Sequence, residues 1–269
     1  MDPANRLRLS PDGALEGDVA ALGRLLASAR RVVALTGAGL SVESGIPDFR
    51  SAGGLWSAFD PMEYATRSCF ARSPGKAWEL YRALGAAIAG REPNAGHLAL
   101  ARLERAGLLA GIVTQNVDGL HQAAGSETVL EIHGEGRHLT CPGCGSVEPL
   151  SAAHLEPGPP PPCAGCGSPL RPNVVLFEEP VREMPRVREL VALADAMLVV
   201  GTSTDVAPAG YLPEDVLAGG GSLVEFNLAP TRRTAAGLGP SGFFVEGPVA
   251  RTLPAVADAA LGARAGETA

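Results

Sequence analysis

The stretch Val32–Arg50, VVALTGAGLSVESGIPDFR, constrains the fold more than any other part of this chain. Its first four residues, Val32-Val33-Ala34-Leu35, are apolar without alternation, the pattern of a strand buried in a core. The chain then breaks at Thr36-Gly37-Ala38-Gly39, where glycines let the backbone turn tightly and approach a ligand phosphate. A dinucleotide-binding GxGxxG sequence would carry its third glycine at position 42 and enter a helix there. This chain has Val42 instead, followed by a polar loop through Ser44, Gly45, Asp48, Phe49 and Arg50. The turn alone fits any α/β protein. Ser41 and Arg50 are its natural phosphate partners, since a guanidinium offers a fork of donors matched to phosphate oxygens.

The same design recurs along the chain. Apolar runs at 111–114, 129–133, 196–200, 223–227 and 243–246 read as strands, and helical spacing marks 17–30, 94–107, 184–193 and 248–261. Asn94 is a plausible N-cap and Gly107 a stop. Residues 57–91 read as helical pieces, and residues 1–16 as a loose leader. Strands alternating with helices imply a parallel sheet. The loops GAGLS, TQNVD, GTST and FNLAPT each follow a strand, so they converge where an open α/β sheet binds its ligand. Three polar groups within four residues, Gln115, Asn116 and Asp118, suit an amide or a ribose better than a plain turn.

Residues 138–171 differ in character. Cys141, Cys144, Cys163 and Cys166 form C-x2-C-x18-C-x2-C, the spacing of a structural zinc ribbon, with a proline-rich loop at 157–162. Four thiolates close a tetrahedron and leave no open position, and so short a Pro/Gly-rich module needs its metal to fold. Cys69 stands apart as a core or surface thiol. The net charge of −7 argues against general nucleic-acid binding. No apolar run is long enough for a bilayer, and the N-terminus carries no secretory h-region, so a cytoplasmic protein is expected. Among the five histidines, His133 ends a strand just before the cysteine module. Its ordinary pKa suits acid–base work, but taken alone it fits a structural role better. His97 reads as a satisfied core residue and His121 as a packed helix start. His138 and His154 lack any supporting spacing.

Together, GAGLSVESGIPDFR, TQNVDGLH, His133-Gly134, the paired CxxC, RPNVVLF, GTSTDVAPA and FNLAPT occur in the order found in sirtuins, the NAD-dependent protein deacylases. Residues 17 to about 262 resemble that family, in its bacterial type. The resemblance implies an α/β fold: a Rossmann-like parallel-sheet domain (17–50, 93–137 and 172–262) with a small inserted zinc-ribbon/helical domain (51–92 and 138–171). It implies NAD as co-substrate, one structural Zn2+, and acylated lysine of proteins as partner, bound between the domains. Gly37, Ala38, Ser41 and Arg50 are then expected at the pyrophosphate, Gln115 at the nicotinamide ribose, and Asn116, Val117, Asp118 and Ile46 around the nicotinamide. Asp48 belongs to the same loop, and Phe49 would shield the cationic centre. Gly201, Thr202, Ser203 and Asn227 would serve the adenosine half, and Val174, Val175 and Phe177 the acyl-lysine. His133 would be the general base, with Asn116 beside it as a catalytic residue, and the products would be nicotinamide, free lysine and O-acyl-ADP-ribose.

Two positions depart from the family pattern. Phe177-Glu178-Glu179 replaces Phe-Gly-Glu, so added bulk and charge at Glu178 are expected to alter peptide docking and favour basic sequences. Tyr81-Arg82-Ala83-Leu84 lacks the Tyr-x-x-Arg of desuccinylating members. Only i,i+3 and i,i+4 pairs share a helix face, so Arg82 does not substitute and neutral acyl groups, acetyl or longer aliphatic, are expected. A protein mono-ADP-ribosyltransferase on the same scaffold is the alternative enzyme. A non-catalytic NAD or ADP-ribose sensor would fit better without His133, Asn116 and Asp118.

Overall fold

The computed structural model describes residues 5–267. The chain opens with β1 (Arg6–Leu9) and β2 (Leu15–Glu16), then α1 (Val19–Ser28) and β3 (Val32–Thr36). Two 3-10 turns follow at Ala38–Leu40 and Val42–Ser44. Four helices come next: α2 (Leu55–Ala58), α3 (Pro61–Tyr64), α4 (Arg67–Arg72) and α5 (Pro74–Ile88). Then come α6 (Ala95–Arg105), β4 (Leu109–Thr114), α7 (Leu120–Ala123) and β5 (Val129–Glu131). Strands β6 (Gly134–Thr140) and β7 (Val147–Pro149), helix α8 (Ala152–Leu155) and β8 (Arg171–Val174) make up the cysteine-bearing segment. The chain closes with α9 (Met184–Val191), β9 (Ala196–Val200), α10 (Leu212–Ala218), β10 (Ser222–Asn227), α11 (Arg232–Ala236), β11 (Phe243–Glu246) and α12 (Val249–Glu267).

The large sheet runs β2-β1-β11-β10-β9-β3-β4-β5, parallel throughout except for β2 at the edge. Both faces of it are covered. Val32 and Ala34 of β3 face one core with Leu22 and Leu26 of α1, Leu100 and Leu103 of α6, and Leu253 and Val256 of α12. The intervening Val33 and Leu35 face the other, with Val187 and Val191 of α9 and Leu212 and Val216 of α10. Side chains alternate across a strand, so covering both faces requires the unbroken apolar runs seen in the sequence. Full burial of each Leu or Val contributes about 1.5–3 kcal/mol.

The smaller unit has its own core: Leu55, Phe70, Trp78, Leu80 and Tyr81 from the helices against Leu139, Leu170, Val174 and Leu176. Trp78 is fully buried, and its Nε1–H donates to the Leu170 carbonyl at 2.7 Å. That bond ties α5 to the cysteine segment, and Trp78→Ala would cost about 3–5 kcal/mol.

The fold departs from the sequence expectations in three places. The segment expected as a loose leader forms β1 and β2, with Leu7 fully buried, because β11 would otherwise present an open sheet edge; residues 1–4 lie outside the described part. Strand β8 pairs with β6 and not with the large sheet, so residues 134–137 and 172–174, expected in the Rossmann-like unit, belong to a three-stranded antiparallel sheet. Helix α12 also continues past 262 to Glu267. The proline-rich loop is anchored: Arg82 donates to the carbonyls of Glu156 and Pro159 and stacks over Trp78, 5.2 Å from the ring centre. No helix among the described residues is long and apolar enough to cross a membrane.

Candidate functional site

From β3 the large sheet grows in one direction through β4 and β5, and in the other through β9, β10 and β11. The strand order therefore reverses at β3, and a crevice opens beyond the C-terminal strand ends there. The turns after β3 and β9 close on one another. Gly37 N–H donates to the Val200 carbonyl at 3.0 Å and Gly39 N–H to the Gly201 carbonyl at 2.9 Å. A Cβ on Gly39 would lie 2.8 Å from the Gly201 Cα, and one on Gly201 (φ +59°) would strike the Leu40 amide nitrogen. Only glycine allows this approach, and it leaves the backbone of both turns on the wall of the crevice.

A cavity of about 490 Å³ occupies that crevice and runs toward the smaller unit. Its wall includes Gly37, Ala38, Asp48, Phe49, Arg50, Gln115, Asn116, Val117, His133, Gly201, Thr202, Ser203 and Asn227. Val174, Val175 and Phe177 line it as well, so nearly every residue singled out from the sequence meets here. Three do not reach the wall. Ser41 is 1% exposed and donates to Asp118 Oδ2 at 2.7 Å, while Ile46 is buried behind it. Asp118 also accepts the Leu120 N–H, so Ser41 and Asp118 brace the turn and do not line the cavity.

Asn116 is held from both sides. Its Nδ2 donates to the Gly37 carbonyl at 3.1 Å and to Ser41 Oγ at 3.2 Å, which uses both amide protons. Its backbone N–H donates to Thr114 Oγ1, which also accepts from Thr36 Oγ1. Thr36 Oγ1 thereby spends its single proton, so His121 Nε2, 2.9 Å away, is the donor to it. His121 packs edge-on against His97, ring centres 5.1 Å apart. His97 accepts the Asn94 N–H at Nδ1, completing the cap of α6, but its Nε2 and His121 Nδ1 are buried without partners among the described residues. His97 is therefore less satisfied than its helix position suggests.

His133 follows β5 and lines the cavity. Its Nδ1 lies 3.1 Å from the Gln115 carbonyl. A carbonyl only accepts, so Nδ1 carries the proton and Nε2 is left as a bare base. Burial holds the imidazole below its ordinary pKa, against the pull of that carbonyl. The side chain is neutral and basic at pH 7.

Trp56, Leu80, Tyr81 and Leu84 extend the cavity into the smaller unit, and of these Trp56 and Leu80 were not singled out by any motif. Tyr81 and Leu84 share a face of α5 by their i,i+3 spacing, the signal available in the sequence. Leu84 stands where an arginine would make this arm cationic, and Arg82 is turned onto the proline-rich loop. Phe49 packs on Trp56, ring centres 5.0 Å apart, at the junction.

The four cysteines stand apart from this chemistry, and none of them lines the cavity. All four sulfurs fall within 4.8 Å of one another, with Cys141 to Cys166 at 3.4 Å and Cys144 to Cys163 at 3.6 Å. Zn–S bonds of about 2.3 Å in a tetrahedron put sulfurs about 3.8 Å apart, so the residues fit a closed structural zinc site. A disulfide, at about 2.05 Å, does not describe them. The two knuckles match: Cys141 N–H reaches the Ser146 carbonyl and Cys163 N–H the Ser168 carbonyl, both at 2.8 Å.

Comparison with known proteins agrees with this geometry. The family model described as Sir2 family matches residues 37–208. An NAD-dependent protein deacylase of Pyrobaculum aerophilum is 44% identical over 232 residues, 86% of this chain and 91% of that protein. A crystal structure of a Sir2 homologue in complex with NAD superposes with a TM-score of 0.82 at 37% identity, covering 90% of this chain and 94% of that one. Sir2Af2 bound to a myristoylated histone peptide gives 0.76 at 32% identity, covering 92% and 98%. The matched span runs from the glycine turn after β3, through His133 and the four cysteines, to the turn after β9, and on that ground this chain belongs to the Sir2 family, the sirtuins.

Proposed function

We propose that the protein is an NAD-dependent protein-lysine deacylase that removes neutral acyl groups, acetyl or longer aliphatic, and works in the cytoplasm. The observation that carries this reading is His133: a neutral imidazole on the cavity wall, fixed by the Gln115 carbonyl through Nδ1 so that Nε2 is left as the base. NAD supplies an electrophilic ribose carbon once its nicotinamide departs, and a ribose hydroxyl that becomes nucleophilic on losing its proton. His133 Nε2 is the group of this chain able to take that proton. The backbone N–H groups of Ala38 and Thr202 offer donors to the phosphates, those of Gly37 and Gly201 being spent on the Val200 and Phe226 carbonyls, and Arg50 adds its guanidinium. Asp48 accepts the N–H groups of Arg50 and Ser51 and so shapes the loop that presents Phe49 and Arg50. Gln115 donates to Thr202 Oγ1 at 2.9 Å and Asn227 to the Thr202 carbonyl at 3.2 Å, tying the loops after β4, β9 and β10 together under the ribose sites. Asn116 and Val117 flank the nicotinamide, with Ser41, Ile46 and Asp118 bracing them from behind.

Val174, Val175 and Phe177 with the arm at Trp56, Leu80 and Leu84 make an apolar channel for the acyl chain. A dicarboxylic acyl group entering it would lose hydration without a cationic partner. The test is nicotinamide release across acetyl-, octanoyl- and succinyl-lysine peptides with His133→Ala as control. Acetyl and octanoyl peptides should react and succinyl peptide should lag at least tenfold. Equal rates in the His133→Ala variant would refute the assignment.

A further inference from the structure

Glu178 occupies a backbone conformation that normally belongs to glycine, with φ +74°. It sits on the cavity wall between Phe177, whose N–H donates to the Ala65 carbonyl at 3.0 Å and whose carbonyl accepts from Arg67 N–H at 3.1 Å, and Glu179. Thr66 and Phe177 thus form a parallel bridge between the helical insertion and the segment after β8. The Glu178 carboxylate extends that bridge. It accepts from Ser68 N–H at 3.0 Å and from Ser68 Oγ at 2.9 Å, across 110 positions of sequence. Glu179 fixes the other side of the turn, pairing with Arg171 at 3.0 Å and accepting the Leu176 N–H.

We infer that Glu178 is a positioning residue: a latch that joins the helical insertion to the segment after β8 and sets the wall against which the substrate peptide lies. This inference rests on the deacylase reading for the identity of the substrate. The charge expected to attract basic peptides is committed to Ser68, so the latch and not the charge determines docking. The left-handed backbone at 178 persists because its side chain makes two bonds that glycine would lack, and the wall from Leu176 to Glu179 is held at both ends.

The experiment pairs kinetics with amide hydrogen exchange on the full chain. Glu178→Ala and Ser68→Ala should raise the KM for an acetyl-lysine peptide about fivefold, the equivalent of about 1 kcal/mol, while kcat and the KM for NAD stay within about twofold. Glu178→Gln keeps an acceptor for Ser68 and should stay near wild type. Glu178→Gly relieves the backbone but removes the latch, and should behave like the alanine variant. In Glu178→Ala, the Arg67 and Phe177 amides should exchange faster than in wild type. Unchanged exchange, or a Glu178→Gln variant as impaired as Glu178→Ala and only toward peptides with basic flanks, would overturn the latch. Wild type that releases no nicotinamide with any acyl peptide would refute the deacylase reading instead, and the exchange data would still decide the latch.

Discussion

Lowering the pH from 7 to 5 should cost this protein stability through two residues, His97 and His121. Both are buried, 0% and 1% exposed, and each has one ring nitrogen without a partner among the described residues. Burial is the main cause of their perturbation, holding His97 down to about 4 and His121 to about 3; the His97 ring further lowers His121, and the Asp118 carboxylate partly raises His97. The sign follows from linkage: a histidine whose folded pKa lies below its unfolded value contributes stability above about 6.5, and that stability is lost as pH falls. At pH 5 both are still neutral in the fold, while the unfolded chain has bound a proton at each. The loss is about 2 kcal/mol per histidine, about 4 kcal/mol for the pair. Glu131 and Glu225, whose carboxyls burial pushes up, act in the opposite sense and are common to wild type and variants. The assay is urea unfolding at pH 7 and pH 5 for wild type, His97→Asn and His121→Gln. The His97→Asn side chain keeps an acceptor for the Asn94 N–H, and the His121→Gln side chain keeps a donor for Thr36. Each variant should lose about 2 kcal/mol less than wild type over this interval. Identical pH dependence in all three proteins would refute the assignment of two neutral buried imidazoles.

Other perturbations have equally definite outcomes. The acid limb of kcat/KM should fall below pH 6.5, because burial lowers the His133 pKa and the base works only while neutral; a limb at or above 7 would contradict this. Cys144→Ser should bind no zinc by atomic absorption where wild type binds one, and residues 138–171 should become the first site of limited proteolysis, since they depend on the metal for their order. Leu84→Arg should place a guanidinium on the Tyr81 face of α5 and raise the succinyl-to-acetyl kcat/KM ratio at least tenfold, read on matched peptides.

The parts of the site that were legible in the sequence are those written by strand ends. An apolar run followed by glycine or a polar triplet fixes both the strand and its loop, so Gly37, Gln115, Asn116, Gly201 and Asn227 could be placed from local pattern alone. Cysteine spacing did the same for the zinc site. Depth was not legible. Ser41, Ile46 and Asp118 share the motifs of their neighbours, yet they do not reach the wall: Ser41 and Ile46 flank the 3-10 turn at Val42–Ser44, and Asp118 is held onto Ser41 and the Leu120 N–H. Pairings between distant segments were also invisible: β1 on β11, β8 on β6, and Glu178 on Ser68 each depend on where the chain returns and not on local pattern. The apolar arm was half visible, since the spacing of Tyr81 and Leu84 shows a shared face without showing what that face meets.

The most direct test of the central claim is mass spectrometry of the products formed from NAD and an acetyl-lysine peptide. One O-acetyl-ADP-ribose and one nicotinamide per lysine freed, with His133→Ala forming almost none, is the expected result. Acetate as the only acyl product, or ADP-ribose attached to protein in place of a freed lysine, would contradict it.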